Sequence, residues 1–96
     1  MSAMRFAWDE AKAEENLHKH GVSFEEASMV LGDENARLKH DPDHSLKEDR
    51  FLLLGFSAKL RLLIVCHAYR EDDEVIRIIS ARKATPSERR QYGSYL

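Results

Sequence analysis

A single cysteine, Cys66, leaves no partner for an intramolecular disulfide. A small secreted scaffold stapled by disulfides is excluded, and a reducing, cytoplasmic setting is expected. Two prolines and four glycines are too few for a collagen-like or linker-like stretch. The longest apolar runs, Phe51 to Phe56 and Leu62 to Cys66, fall far short of the roughly 20 residues a membrane span needs. Asp9 and Glu10 break any signal-peptide pattern, so no membrane association is expected. Neither sign of charge dominates, with 15 Lys and Arg against 17 Asp and Glu. What remains is 43% hydrophobic and 33% charged over 96 residues, which suits one soluble domain spanning residues 1–96.

The net charge of −2 conceals a gradient. Residues 1–34 hold eight acids and three Lys or Arg, residues 35–73 hold seven of each, and residues 74–96 hold two acids and five bases. A polyanionic partner would meet the C-terminal end, while the acidic front speaks against indiscriminate nucleic-acid binding.

Local signals then divide the chain. Asp9 is an N-cap and Gly21 a left-handed stop, which predicts a helix over 9–20 with a thin apolar face of Ala13 and Leu17. Ser23 and Glu26 form a capping-box pair, and Phe24, Ala27, Ser28 and Leu31 recur at helical spacing before Gly32. Residues 33–49 are polar, with a turn at Asp41-Pro42-Asp43 and at most a short strand near Ala36 to His40. Arg50 to Ser57, Arg61 to Arg70 and Glu74 to Ala81 read as three strands of an antiparallel meander, apolar on both faces. Thr85-Pro86-Ser87-Glu88 combines an N-cap, a proline at the first helical position and a capping-box glutamate, so a C-terminal helix begins there. The expected fold is α+β: two N-terminal helices on a three- to four-stranded antiparallel sheet, with a C-terminal helix.

Strand parity places the candidate chemistry. If residues 71–73 form a three-residue loop and residues 57–60 a four-residue one, Arg50, His67 and Arg77 line up on one sheet face, with Tyr69 nearby. A one-residue change in either loop would dissolve that row. Arg82 and Lys83 flank the helix opening at Thr85, whose free N–H groups favour anions, and Arg89 and Arg90 extend the patch. Cations with a histidine and no metal cluster suit cleavage of RNA by its own 2′-hydroxyl, which needs a proton acceptor, charge at phosphorus and a proton donor. His67 would exchange protons, and Arg77, Arg82 and Lys83 would supply charge. Trp8 either stacks on a base or staples the first helix. Cys66 alternates away from His67 and reads as core. His40-Asp41-Pro42-Asp43-His44 holds possible metal ligands, but such turns gather Asp and His for local hydrogen bonds, so no metal or other cofactor is expected.

Longer motifs carry a resemblance. Phe6-Ala7-Trp8-Asp9, Asn16-Leu17-His18-Lys19-His20-Gly21-Val22-Ser23-Phe24-Glu25-Glu26-Ala27, Asp41-Pro42-Asp43-His44-Ser45, and Arg77 to Ala84 with Glu88-Arg89-Arg90 and Tyr92 resemble the BrnT family of bacterial toxins over nearly the whole chain. The resemblance implies a ribonuclease toxin of a type II toxin–antitoxin pair with a RelE/ParE-like fold. It implies Arg77, Arg82 and Lys83 as site residues. Arg50, Arg89, Arg90, Tyr92 and Trp8 are expected as RNA contacts from the residue reading itself. The resemblance also implies a BrnA-like ribbon-helix-helix antitoxin, through which the complex would contact operator DNA. A non-catalytic alternative fits the same fold class: a toxin that grips a protein such as gyrase, or a co-repressor.

Overall fold

The computed structural model describes residues 4–42, 48–70 and 74–93. Helix α1, Glu10–His20, starts where the Asp9 carboxylate accepts the Lys12 N–H at 3.1 Å. It stops at Gly21, whose φ of 68° lets its N–H reach the Leu17 carbonyl. Helix α2, Phe24–Met29, opens on Ser23 and runs into a 3₁₀ turn at Val30–Gly32. The Ser23 hydroxyl accepts the Glu26 N–H at 3.0 Å, but Glu26 does not return the bond. Its side chain points inward, 1% exposed, and accepts from Arg61 Nε and the Ser57 hydroxyl, each at 2.8 Å, and from a second Arg61 N–H. Arg61 also donates to the Gly21 carbonyl at 2.9 Å. The guanidinium holds the Glu26 carboxyl below its usual range against the opposing effect of burial.

The sheet comprises β1 (Arg5–Ala7), β2 (Arg37–Asp41), β3 (Arg50–Phe56), β4 (Leu62–Arg70) and β5 (Val75–Lys83), in the order β1-β5-β4-β3-β2. The expected meander is β3 to β5, and β2 is the short strand of the polar stretch. The expected all-antiparallel sheet of three or four strands is corrected by β1, which pairs parallel to β5 from Arg5↔Val75 to Ala7↔Arg77. Its three residues are all exposed and too few to show an alternation, so composition carried no sign of it. Beyond β1, the Asn16 side chain takes the place of a strand, donating to the Ala81 carbonyl at 2.8 Å and accepting the Ala81 N–H at 3.1 Å.

Helices α1 and α2 cover one sheet face, where Val22, Phe24, Ala27 and Val30 pack on Leu53, Leu63, Val65, Ile78 and Ala81. Gly55 permits the close approach there: a Cβ would lie 2.9 Å from Val30 Cγ1 and 3.0 Å from Ala36 Cβ. The opposite face is covered only in part, by α3 (Pro86–Gly93), through Tyr92 against Leu54, Leu62 and Ile64. Tyr92 donates its hydroxyl to Asp33 Oδ2 at 2.8 Å, and the same oxygen accepts the Phe56 N–H at 2.8 Å. Replacing Glu26 by alanine strands the part-buried Arg61 and should lower unfolding free energy by about 3–5 kcal/mol in urea titrations.

Candidate nucleic-acid interface

Residues opposed across a sheet share a face, so the register states which side chains lie together. On the α3 face, Arg37, Leu54, Ile64 and Arg82 form one row, and Lys39, Leu52, Cys66 and Ser80 the next. A third row has Asp41 opposite Arg50 and Ala68 opposite Arg77, with Arg50 one step beyond the Phe51↔His67 pair. Five cations therefore share a half-covered surface. Regular alternation would send Arg77 and Arg82 to opposite faces, five residues being an odd interval. Between Cys66↔Ser80 and His67↔Ile78, Ile79 has no partner, and this bulge turns Arg77 onto the side of Arg82.

Two carboxylates organise these cations. Glu48 receives Arg77 at 3.0 Å and Arg70 at 3.1 Å, with Arg50 Nε 3.7 Å away. Glu88 accepts both terminal nitrogens of Arg82, at 2.8 and 2.9 Å. It also accepts the Thr85 N–H at 2.8 Å while Thr85 accepts the Glu88 N–H at 3.2 Å, which completes the expected capping box. The Arg82 hydrogen bond, ahead of the opposing burial, holds the Glu88 carboxyl down to about 2. Two cavities of about 470 Å³ each share Leu52 and Ile64 as walls. Together they form a groove from Arg37, Lys39 and Glu88 to Asp41, Arg50 and Arg82.

The expected row of Arg50, His67 and Arg77 needs correction. Phe56 pairs with Leu62 rather than Arg61, and Arg70 with Val75 rather than Glu74, so β4 lies one residue out of the expected register on both sides. Because both slips run in the same sense, Arg50 and Arg77 still align, across Ala68. His67 moves to the helix-covered face and is fully buried. Its Nδ1 donates to the Val65 carbonyl at 3.4 Å and its Nε2 accepts from the Tyr69 hydroxyl at 3.3 Å. Burial pushes its pKa down by disfavouring the charged imidazole, and the register turns it away from the arginines.

Lys83, opposite Leu63, is exposed on that other face as well, so it is removed from the Arg77 and Arg82 group. Tyr92 is 6% exposed with its hydroxyl engaged by Asp33, which corrects its expected role as an RNA contact. Trp8 packs edge-on to Phe24 at 6.0 Å, the staple rather than the base-stacking reading. Arg89 and Arg90 are exposed on α3. Cys66 is buried, and burial raises its thiol pKa. Of the turn with possible metal ligands, Asp43 and His44 lie outside the described residues. Among the described residues no three His, Cys, Asp or Glu side chains are grouped to hold a metal ion, and no helix is long and apolar enough to cross a membrane. Sequence reasoning missed Arg37, Lys39 and Glu48. The alternation of Arg37, Lys39 and Asp41 was the signal that could have found the first two.

Fold and face together define a small α+β protein with a cationic, grooved sheet surface suited to a polyanion. The chain belongs to the BrnT family: residues 8–88 match the model described as the ribonuclease toxin, BrnT, of type II toxin–antitoxin systems. It is similar to the ribonuclease toxin BrnT of Brucella abortus, whose structure was determined at 1.1 Å resolution. Identity is 27%, the TM-score 0.66, and the match covers 86% of this chain and 99% of that one. No curated protein sequence matches the chain.

The Glu88 contribution to stability has a defined pH window. Below its ordinary 4.5 the unfolded chain binds a proton there that the folded chain refuses until about 2. The stabilisation is complete above 4.5 and disappears as pH falls toward 2. Melting temperatures taken between about pH 5 and pH 2 should therefore fall less steeply in Glu88→Gln than in the parent chain.

Proposed function

We propose that the protein is a metal-independent endoribonuclease that arrests growth by cutting RNA. In this reading the 2′-hydroxyl oxygen attacks the adjacent phosphorus, the bond to the 5′-oxygen breaks, that oxygen leaves as a hydroxyl on taking a proton from solvent water, and a 2′,3′-cyclic phosphate is left. The observation that carries it is the bulge-built convergence of Arg50 and Arg77 on Glu48, in a chain of a ribonuclease family. A carboxylate ringed by three guanidiniums occupies the position that a phosphodiester oxygen would take. When RNA displaces it, Arg50 and Arg77 stabilise the charge gathering at phosphorus. The released Glu48 carboxylate then accepts the hydroxyl proton, the role that buried His67 has no line of approach to fill. Arg37, Lys39 and Arg82 extend the phosphate track along the groove, and Arg89 and Arg90 add exposed positive charge on α3.

A BrnA-like ribbon-helix-helix antitoxin would neutralise the toxin by covering this face, and operator DNA would be met through that partner. The type II toxin–antitoxin description of the family supports the partner class.

Purified protein should cleave RNA in the presence of EDTA, and loss of all cleavage on chelation would contradict the chemistry. Arg77→Ala should lower the cleavage rate by about 10²–10³-fold with an unchanged melting temperature. Glu48→Gln should tighten RNA binding in filter assays, since a charge competing for the guanidiniums is removed, yet lower cleavage by about 10²-fold or more. Faster cleavage in that variant would reduce Glu48 to a plug. Growth arrest with intact cellular RNA would instead favour the protein-gripping alternative.

A further inference from the structure

Strand β1 ends at Ala7, opposite Arg77, and beyond that pair the outer edge of β5 is bordered by α1, whose Asn16 is bonded to Ala81. A cavity of about 160 Å³ lies there, with Lys12, Asn16, Lys19 and His20 on one wall and Ile79 and Ser80 on the other. Ile79 and Ser80 also line the part of the groove that holds Arg50 and Arg82. The bulge is thus a wall common to both cavities, and a strand lying in the groove reaches α1 by crossing two residues of β5.

The cavity is well below the roughly 300–1,000 Å³ of sites for drug-sized ligands, so it suits a phosphate group rather than a base. Its cations are not explained by the helix. Lys12 is the third residue of α1, in a first turn where the helix dipole favours acids and disfavours a cation. Lys19 follows two turns later on the same side of the helix. They are two of the three Lys or Arg in residues 1–34, and both line this cavity. Arg77 and Arg82 are engaged by carboxylates, whereas among the described residues no ion pair holds Lys12 or Lys19. Glu15 lines the cavity as well, which leaves two ammonium groups against one carboxylate. His20, half-buried beside Lys19, can add a ring N–H as a donor.

We infer that the RNA strand leaves the groove over the β5 bulge and that Lys12 and Lys19 bind its phosphates on the far side of that edge. The inference rests on the ribonuclease reading and extends it from the reacting linkage to the path of the strand. Contacts of this kind carry no base preference and contribute affinity that falls as salt rises.

The test uses a 2′-O-methyl oligouridylate of about ten nucleotides, long enough to run past the groove and lacking the attacking hydroxyl. Its binding is followed by fluorescence anisotropy between about 50 and 200 mM salt. The double variant Lys12→Gln with Lys19→Gln, at exposed helix positions, should bind about tenfold more weakly at the lower salt. Its plot of log affinity against log salt should be shallower by about 1.4, the loss expected for two single-strand phosphate contacts. Lys12→Arg with Lys19→Arg should restore the parent slope. Lys59→Gln removes an exposed lysine that lines neither cavity and should leave slope and affinity unchanged within about twofold. A parent slope in the glutamine double variant, or an equal loss in Lys59→Gln, overturns the inference. Cleavage of ordinary RNA in EDTA is read separately. A parent chain that cleaves RNA, with a salt slope that the two lysines do not change, sinks this path alone; one that neither cleaves nor binds RNA sinks the ribonuclease reading with it.

Discussion

One unpaired residue, Ile79, decides what this sheet can bind. Without the bulge, the two-residue period of β5 would divide Arg77 from Arg82, and the α3 face would keep only one of the two β5 arginines. With it, β5 buries Ile78 and Ala81 under the helices, three residues apart, while presenting Arg77, Ser80 and Arg82 on the α3 face. The apolar set needs that spacing as much as the cationic set does. Core packing and function therefore select the same irregularity, and each holds the other in place.

A face with five cations also has to fold in the absence of RNA. Glu48 and Glu88 make that possible by screening the arginines in the free protein, but in different ways. Glu88 grips Arg82 with two parallel bonds and is itself fixed as the capping residue of α3. Glu48 makes single contacts to separate guanidiniums, which can be exchanged one at a time. None of these contacts is bidentate, so a ligand can take over one guanidinium while Glu48 keeps another.

Much of the architecture was legible because its signals were local. Asp9 and Gly21 bound α1, and Thr85 and Glu88 open α3, through bonds that span three or four residues. Arg50 and Arg77 were placed correctly relative to each other, since they share a face and approach the same carboxylate. What failed was whatever depended on a count across a gap. A single extra residue in each of the two turns flanking β4 carried His67 to the far face, and the bulge, invisible in composition, parted Arg77 from Lys83 and set it beside Arg82. Tyr92 was misjudged for a related reason: its partner Asp33 lies 59 residues away, and no local pattern announces it. Glu48 escaped notice because its significance lies wholly in three arginines brought from β3, β4 and β5.

The two carboxylates also indicate where on the groove a phosphate should seat. To enter at Arg82 it must break a bidentate pair and leave Thr85 without the acceptor for its N–H, loosening the first turn of the helix that roofs the groove. To enter at Arg77 it need only take over one contact, and the Glu48 it displaces keeps Arg70 as a partner. On the proposed ribonuclease reading, the scissile linkage would accordingly lie at Arg50 and Arg77, with Arg82 as a fixed positive end toward which the strand would run. That polarity follows from hydrogen-bond multiplicity alone. It also explains how one face can combine a stable helix cap with a site open to exchange.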